Sequence, residues 1–221
     1  MLQRSDGVQT VLQQLRQDII LYRYEDGAPL RELELAEQYQ CSRSSVRGAL
    51  LVLEQEGLIA THPNGTRTVK IFLERDLENL YHLREYLELT AVEQILKDTG
   101  DFTFLTELLR EIASCPDDMN IMLDIDSRFH KAVVESSRNR ALLLAWNNVF
   151  GVLSEIFRLN TTNSAEYERW FCETFKARHL ALGGKLLACD VSAVDTFREH
   201  IAEARSASLK AIITKREKKH E

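Results

Sequence analysis

The chain has 221 residues, of which 44% are hydrophobic and 28% charged, and its formal net charge is −6. This length allows two modest domains, each with a buried core. The negative charge argues against nucleic-acid binding over the whole surface, but not against a local basic patch. No stretch approaches the roughly 18 consecutive apolar residues of a membrane span, so we expect no membrane segment.

The cysteines and the N-terminus bear on the cellular compartment. Cys41, Cys115, Cys172 and Cys189 form no C-x-x-C pair, so we expect four reduced thiols. The N-terminus carries no apolar stretch of the kind found in secretory signals. We therefore expect a soluble cytoplasmic protein.

The first third of the chain predicts three helices followed by a hairpin. Apolar residues recur at helical spacing over residues 7–22, and Gly27 and Pro29 end that helix. Two short helical segments follow, and then two β-prone runs flank the turn residues Pro63, Asn64 and Gly65. The helical segments are 31–39 and 42–56, and the runs are 58–61 and 66–72. This order of elements is that of a winged helix-turn-helix.

From Glu74 onward the pattern is helical almost to the end of the chain. The predicted helices are 75–98, 102–115, 118–137, 140–160, 164–188 and 191–215. The whole sequence has only three prolines and nine glycines, which also favours long helices. We therefore predict a mainly α protein, with a winged helix-turn-helix domain at residues 1–73 and an all-helical bundle at residues 74–221.

The helix predicted at 42–56 separates an apolar face from a basic one. The apolar face carries Val46, Ala49, Leu50 and Leu53. Arg43, Ser44 and Arg47 lie on the other face near the N-terminus, and Ser42 is a suitable N-cap. Arginines in this position can reach guanine edges in the major groove of DNA. An ordinary amphipathic helix with a solvated basic face is the alternative interpretation.

The stretch LRELELAEQYQCSRSSVRGALLVLEQEGLI resembles the helix-turn-helix of the GntR family, and the resemblance covers roughly residues 8–72. It implies that Ser42, Arg43, Ser44 and Arg47 contact DNA and that Gly65 lies at the wing tip, near the minor groove. Leu33 stands where the fatty-acid-responsive branch of the family has an arginine on the second helix that contacts DNA, and Asn64 replaces the arginine common just before the wing glycine. Residues 1–70 hold seven Arg and one Lys against nine Asp and Glu. We therefore expect each subunit to bind DNA through one small basic patch, so that a dimer presents two such patches.

The helix predicted at 118–137 places polar side chains on its apolar face. Asp126 and His130 are four residues apart, so they lie one above the other on that face. His179 and His200 occupy apolar faces of the last two long helices in the same way. Aspartate and histidine suit a divalent ion such as zinc. Spacing alone leaves open whether the three helices converge, and histidines satisfied within the core are the alternative.

The stretch DIDSRFHKAVVESSRN resembles the D..FH..l..aS.N motif of the FCD domain, the helical sensor of the FadR-like branch of the GntR family. ARHLALGGKLLACD and FREHI resemble later motifs of the same domain, and the resemblance covers residue 74 to about residue 210. It implies that Asp126, His130, His179 and His200 bind a divalent metal ion. Zinc is the first expectation, with nickel or manganese as alternatives.

We find no further carboxylate on the helix faces that carry these four residues, so we expect the metal to anchor an effector rather than to activate water. In the family, a carboxylate or hydroxyl of the effector takes the open metal position. Arg84 interrupts the apolar face of the helix predicted at 75–98 and is a candidate second contact for a carboxylate. A salt bridge from Arg84 to Glu88 is the alternative. Trp146 is either a pocket residue or a core residue.

These observations predict a homodimeric transcription regulator that is not an enzyme. It would bind a palindromic DNA operator and respond to a small carboxylate or sugar acid at its metal site. Two alternatives stay open. One is a metal-dependent enzyme for which the winged domain is a targeting element, and the other is a winged-helix interaction module with a purely structural metal.

Overall fold

The computed structural model describes residues 2–98, 102–163 and 165–220. Its elements in chain order are α1 (Leu2–Ile20), α2 (Glu32–Gln38), α3 (Arg43–Gln55), β1 (Ile59–Thr61), β2 (Arg67–Val69), α4 (Glu74–Lys97), α5 (Thr103–Ser114), α6 (Met119–Ser136), α7 (Arg140–Asn163), α8 (Ala165–Leu187) and α9 (Ala193–His220). The predicted mainly α architecture with a two-stranded wing is confirmed. The main differences from the predicted elements are that α1 begins earlier, both strands are shorter and α9 is longer.

The described chain forms two compact units. One comprises the residues up to Asp76 together with those from Thr214 on, and the other is Leu77–Ile213. The predicted domain boundary after residue 73 stays a prediction. In the described ranges, no helix is both long and apolar enough to cross a bilayer. The four cysteines are unpaired.

In the first unit, α1 and α2 pack against the apolar face of α3. The four apolar residues predicted for that face are fully buried: Val46, Ala49, Leu50 and Leu53. Ser42 is the N-cap of α3, as predicted, because its side-chain oxygen accepts a hydrogen bond from the backbone N–H of Ser45. Gly57 follows α3 with φ +74°, a left-handed conformation that ends the helix at little cost for glycine. The basic N-terminal turn of α3 is therefore left on the surface.

The wing is the hairpin of β1 and β2. Ile59 pairs with Val69 and Thr61 with Arg67 in an antiparallel register. Gly65 has φ +80° at the turn, where a residue with a Cβ would be strained. The side chain of Asn64 accepts a hydrogen bond from the backbone N–H of Thr66 at 3.0 Å. The turn is thus held by its own residues.

The second unit has an aromatic core that joins the helices carrying the predicted metal ligands. Phe129 of α6 is fully buried, and its ring is stacked on Phe197 of α9 at a centroid distance of 6.2 Å. The edge-on rings of His130 and His179 lie 5.4 and 5.0 Å from the same phenyl ring. Phe175 of α8 packs at 4.4 Å from His179. The core therefore fixes α6, α8 and α9 around one point.

The close approach of α5 and α8 depends on a glycine. A Cβ added at Gly183 would lie 2.4 Å from Cδ2 and 3.0 Å from Cγ of Leu109, whereas a Cβ at the neighbouring Gly184 would meet nothing within 4 Å. We expect Gly183→Ala to lower the free energy of unfolding by about 1–2 kcal/mol through overpacking. Gly184→Ala, the matched control, should raise it by up to about 1 kcal/mol through helix propensity. Urea unfolding measures both, and equal effects would contradict the close α5–α8 contact.

Candidate functional site

Three helices bring four metal-competent side chains together in the second unit. Asp126 and His130 come from α6, His179 from α8 and His200 from α9. One potential ligand atom from each side chain lies within 4.8 Å of the other three. The aspartate and the first two histidines are buried, and His200 is half-buried. The convergence that spacing left open is thus present.

Two of the imidazoles are held so that the same nitrogen faces the centre. Nδ1 of His130 donates to the carboxylate of Glu88 at 2.6 Å, and Nδ1 of His179 donates to the backbone oxygen of Phe175 at 2.8 Å. Because each proton is then on Nδ1, each Nε2 keeps a free lone pair. Hydrogen bonds of this kind orient metal-ligating histidines.

The donor atoms at the centre fit a shared cation. Nε2 of His179 is buried and has no hydrogen-bond partner in the described part of the chain. Yet it lies 2.9 Å from Oδ1 of Asp126, which lies 3.9 Å from Nε2 of His130. An unprotonated nitrogen and a carboxylate oxygen at that distance repel each other unless a cation lies between them. Ligands bound to one zinc ion at about 2.0–2.2 Å have comparable separations.

His200 differs from the other two imidazoles. Its Nδ1 accepts a hydrogen bond from Nη2 of Arg178 at 3.3 Å, so its proton is on Nε2, which lies 3.2 Å from Nε2 of His130. Burial first, and then the neighbouring imidazoles, hold the pKa of His200 well below its usual value, so it stays neutral. To bind a metal through Nε2, His200 must lose that proton and Arg178 must release Nδ1.

The centre is negatively charged although it is buried. Burial opposes ionisation of Asp126, but the neighbouring His179, His130 and Arg84 hold the pKa of its carboxyl below the usual value. Burial likewise opposes ionisation of Glu88, but His130 and Arg84 hold the pKa of that carboxyl below its usual value. Both groups are therefore anions at neutral pH, which favours a bound cation.

Glu88 is a further carboxylate beside the four candidate ligands. It lies on α4, outside the helix faces on which no further carboxylate was expected, and it is fully buried against His130. It was missed because it lies on a different helix, 42 residues before His130. Its other oxygen accepts from Nε of Arg84 at 2.6 Å. Since both oxygens are occupied, Glu88 orients its neighbours and is not free to act as a general base.

For Arg84, the sequence left open a salt bridge to Glu88 and a contact with an effector carboxylate. Arg84 forms the salt bridge to Glu88, and it is buried. It also lines two small cavities that meet at Asp126, each with a volume of about 20 Å³. The first, the α8 cavity, is bordered by Arg178, His179 and His200. The second, the α7 cavity, is bordered by Trp146 and His130.

The predicted DNA-contacting residues lie on the surface of the first unit. Arg43 and Arg47 project from the first turns of α3, and their side chains are 63% and 59% exposed. Ser42 and Ser44 share a hydrogen bond at 2.8 Å between their hydroxyls. Gly65 lies in the wing turn. These positions agree with a DNA-contacting role.

Glu32 of α2 is a residue of this surface that the sequence analysis missed. Its carboxylate accepts from Nε and Nη2 of Arg47 at 3.0 and 2.8 Å, and from Arg67 of the wing at 3.1 Å. Arg43 lies 3.7 Å away. These contacts, with that of Arg47 first, lower the pKa of Glu32 to about 2. One carboxylate thus holds arginines of α3 and of the wing in a common arrangement.

Glu88 can be tested through stability. Glu88→Gln leaves Arg84 buried without its counter-ion, so we expect the free energy of unfolding to fall by about 3 kcal/mol at pH 7. Glu135→Gln, which affects only the surface pair with Lys131, should change it by less than about 0.5 kcal/mol. Chemical denaturation of metal-free protein measures both.

The pH dependence of stability gives a second measurement on the same variant. Because the folded-state pKa of Glu88 lies below its usual value, its stabilisation is present above about pH 4.3 and is lost as the pH falls through the folded-state pKa. Glu88→Gln should therefore lose less stability on acidification than the wild-type chain. A parallel decline in both proteins would contradict the buried, ionised state of Glu88.

Comparisons with known proteins agree with this geometry. Residues 8–69 match the family described as bacterial regulatory proteins, gntR family, and residues 79–203 match the FCD domain. The uncharacterized HTH-type transcriptional regulator YdhC of Bacillus subtilis (strain 168) is 29% identical over 135 residues, 58% of this chain and 60% of that protein. The probable D-xylose utilization operon transcriptional repressor of Paenarthrobacter nicotinovorans is 30% identical over 146 residues, 62% of this chain and 64% of that repressor. The matched stretch thus spans less than two thirds of either relative.

A solved structure shares the fold. The GntR transcriptional regulator from Rhodococcus sp. RHA1 has a TM-score of 0.66 at 22% identity, covering 92% of this chain and 98% of that one. The FCD match alone covers more than half of the sequence, and the gntR match covers the winged helix-turn-helix. The chain therefore belongs to the GntR family of bacterial regulatory proteins and carries an FCD domain.

Proposed function

We propose that this protein is a transcription regulator whose operator binding is controlled by a small carboxylate bound at a metal centre. The observation that carries the proposal is the convergence of Asp126, His130, His179 and His200 beside a cavity lined by Arg84. That site occurs in a chain whose other unit is a winged helix-turn-helix. Ligand chemistry and DNA-binding architecture in one polypeptide are the two requirements of a metabolite-responsive regulator.

DNA binding is assigned to the first turn of α3 and to the wing. Arg43 and Arg47 would reach base edges or phosphates in the major groove, with the hydroxyls of Ser42 and Ser44 as further contacts. Gly65 would bring the wing backbone close to the minor groove. A homodimer would place two such surfaces on the half-sites of a palindrome. Glu32 would keep the arginine side chains ordered before DNA arrives.

Metal binding is assigned to Asp126 and to the Nε2 atoms of His130, His179 and His200. Zinc agrees best with three imidazoles and one carboxylate, and nickel or manganese are alternatives. When bound, the ion would supply a Lewis-acidic position for an oxygen of the effector. Glu88 and the backbone oxygen of Phe175 hold two of the ligands in the required tautomer.

Arg84 is assigned to the effector's carboxylate. Its Nε donates to Glu88, and the guanidinium carries further N–H groups that would donate to the effector. An effector can shift operator binding only if it binds one arrangement of the protein more tightly than the other. An effector carboxylate would share the guanidinium of Arg84 with Glu88, and it would therefore change the contact between these two residues.

The enzyme alternative lacks a supporting observation in this geometry. Metal-assisted hydrolysis needs a general base beside the water position. The extra carboxylate near the centre, Glu88, already accepts from Arg84 and His130. A ligand-responsive regulator needs no such base.

Operator binding tests the assignment of α3. We expect Arg47→Ala and Arg43→Ala each to weaken specific binding by about 1–3 kcal/mol if a base contact is lost. Thermal stability should change little, because both guanidinium groups are exposed and surface ion pairs contribute little. Fluorescence anisotropy with a labelled operator and with a scrambled duplex measures affinity and specificity together.

Arg110→Ala serves as the charge-matched control, since Arg110 is exposed on α5 in the other unit. It should leave operator affinity unchanged. Wild-type affinity in both α3 variants would contradict the assignment of this helix to DNA.

The effector response tests the assignment of the metal centre. We expect Arg84→Lys to keep a cation beside Glu88, and therefore to fold, but to lose the planar fork that binds a carboxylate bidentately. The effector concentration needed to change operator binding should rise about tenfold or more, from the loss of about 1.5–3 kcal/mol. The measurement is a titration of the operator complex with small carboxylic and sugar acids.

Arg128→Lys is the control, because Arg128 lies on α6 but pairs with Glu111 and Asp124 on the surface. Metal content and ligand-free operator binding should match wild type in both variants. An unchanged effector response in Arg84→Lys would leave Arg84 only its structural role beside Glu88.

A further inference from the structure

Trp146 of α7 has a buried donor without an acceptor. Its side chain is 1% exposed, and its indole Nε1 has no hydrogen-bond partner among the described residues. An indole N–H can only donate, and burying it unpaired costs free energy. A tryptophan that served packing alone would gain nothing from this N–H, since phenylalanine would fill similar space without the cost.

The same residue lines the α7 cavity. This cavity is bordered by Arg84 and Asp126 at the metal centre and by the hydroxyl-bearing Ser127 and Ser154. Phe150, which packs against Trp146 at a centroid distance of 5.9 Å, and Phe157 form its apolar wall. The cavity therefore combines a buried donor, two hydroxyls and an aromatic wall, all next to a cationic side chain.

We infer that the α7 cavity is a hydroxyl subsite, which selects effectors that carry hydroxyl groups beside their carboxylate. This rests on the proposed function, in which the carboxylate is held at the metal centre and Arg84. The cavity volume of about 20 Å³ matches one hydroxyl group. That hydroxyl accepts from Nε1 of Trp146 and donates to Ser127 or Ser154. The ligand class is that of hydroxy acids, including sugar acids, and not that of simple fatty acids.

The chemistry of the lining gives the direction of the selectivity. A carboxylate without hydroxyls leaves the Trp146 N–H and both serine hydroxyls without ligand partners in a confined space. Sites built to hydrogen-bond a substrate hydroxyl discriminate strongly against the analogue that lacks it. The aromatic wall can pack against the C–H groups of a hydroxylated chain as well as against those of a plain one. The hydrogen bonds therefore decide whether an acid with or without hydroxyls binds more tightly.

The test uses the metal-loaded full chain and pairs of acids that differ only in hydroxyl content. The pairs are lactate with propionate, malate with succinate, and D-gluconate with hexanoate. We expect isothermal titration to give, for at least one pair, about tenfold or tighter binding of the hydroxylated acid. In Trp146→Phe that preference should shrink to about twofold or less, while the affinity of the other acid stays within about twofold of wild type.

Tyr86→Phe is the matched control, because Tyr86 is exposed on α4 and lines neither cavity, and it should retain the preference for the hydroxylated acid. Trp170→Phe serves a spectroscopic measurement, since the chain has two tryptophans and this variant keeps Trp146 as its only one. Its emission should shift on binding the hydroxylated acid, because the indole N–H gains an acceptor, and should stay nearly unchanged with the other acid. This spectroscopic readout decides the question even if Trp146→Phe fails to fold.

The outcomes separate this inference from the proposed function. If acids bind and change operator affinity without any preference for hydroxyls, the subsite is wrong and the regulator proposal stands. A preference that persists in Trp146→Phe, or a Trp146 emission that ignores the hydroxylated acid, also overturns the subsite. If no acid of either class binds the metal-loaded protein, the proposed function fails and the subsite fails with it.

Discussion

The polar centre of the second unit depends on the buried, ionised carboxylate of Glu88. Its two oxygens accept from Nε of Arg84 and from Nδ1 of His130, both at 2.6 Å, and no part of the side chain reaches solvent. Loss of Arg84 would leave an uncompensated charge in a low-dielectric interior, and loss of His130 would leave a buried carboxylate oxygen without its donor. Glu88 therefore fixes the proton on His130, which exposes Nε2 to the centre, and it fixes the guanidinium that borders both cavities. An effector carboxylate bound to Arg84 would therefore be connected to the metal ligand His130 through the side chain of Glu88.

The aromatic core gives that polar centre its rigidity. Phe129 packs between the imidazoles of His130 and His179 and the ring of Phe197, so the three ligand-bearing helices share one packing unit. The half-buried His200 is the ligand with an alternative partner, because Arg178 donates to its Nδ1. Adaptation of the site to a metal and then to an effector is accordingly expected at α9, while α6 and α8 keep their ligands in place. A ligand can change the packing of this unit only if it moves one helix relative to the others, and α9 is the helix that we expect to move.

The elements were predictable because they depend on local periodicity, whereas the set of four candidate ligands was implied by the resemblance to the FCD domain, since spacing alone left open whether their helices converge. The buried face of α3 follows from the spacing of Val46, Leu50 and Leu53, and the stacked pair Asp126 and His130 follows from a four-residue interval. Two groups could not be predicted because their roles arise from contacts between distant segments. Glu88 has the sequence context of an i,i+4 partner for Arg84, and nothing local indicates His130 as its second partner. Glu32 looks like a first-turn acid of α2, yet it gathers arginines from α3 and the wing. The choice between pocket and core for Trp146 also required the cavity, which borders it on one side.

The central claim is that Asp126, His130, His179 and His200 form one metal centre. The most direct measurement is elemental analysis with X-ray absorption at the metal edge, on protein purified without chelator or nickel resin. We expect one divalent ion per chain, bound by nitrogen and oxygen with the outer-shell scattering of imidazoles. The ion should be lost in His179→Ala but not in His62→Ala, whose ring instead pairs with Thr68 in the wing. A protein without stoichiometric metal, or a spectrum with sulfur ligands, would contradict it.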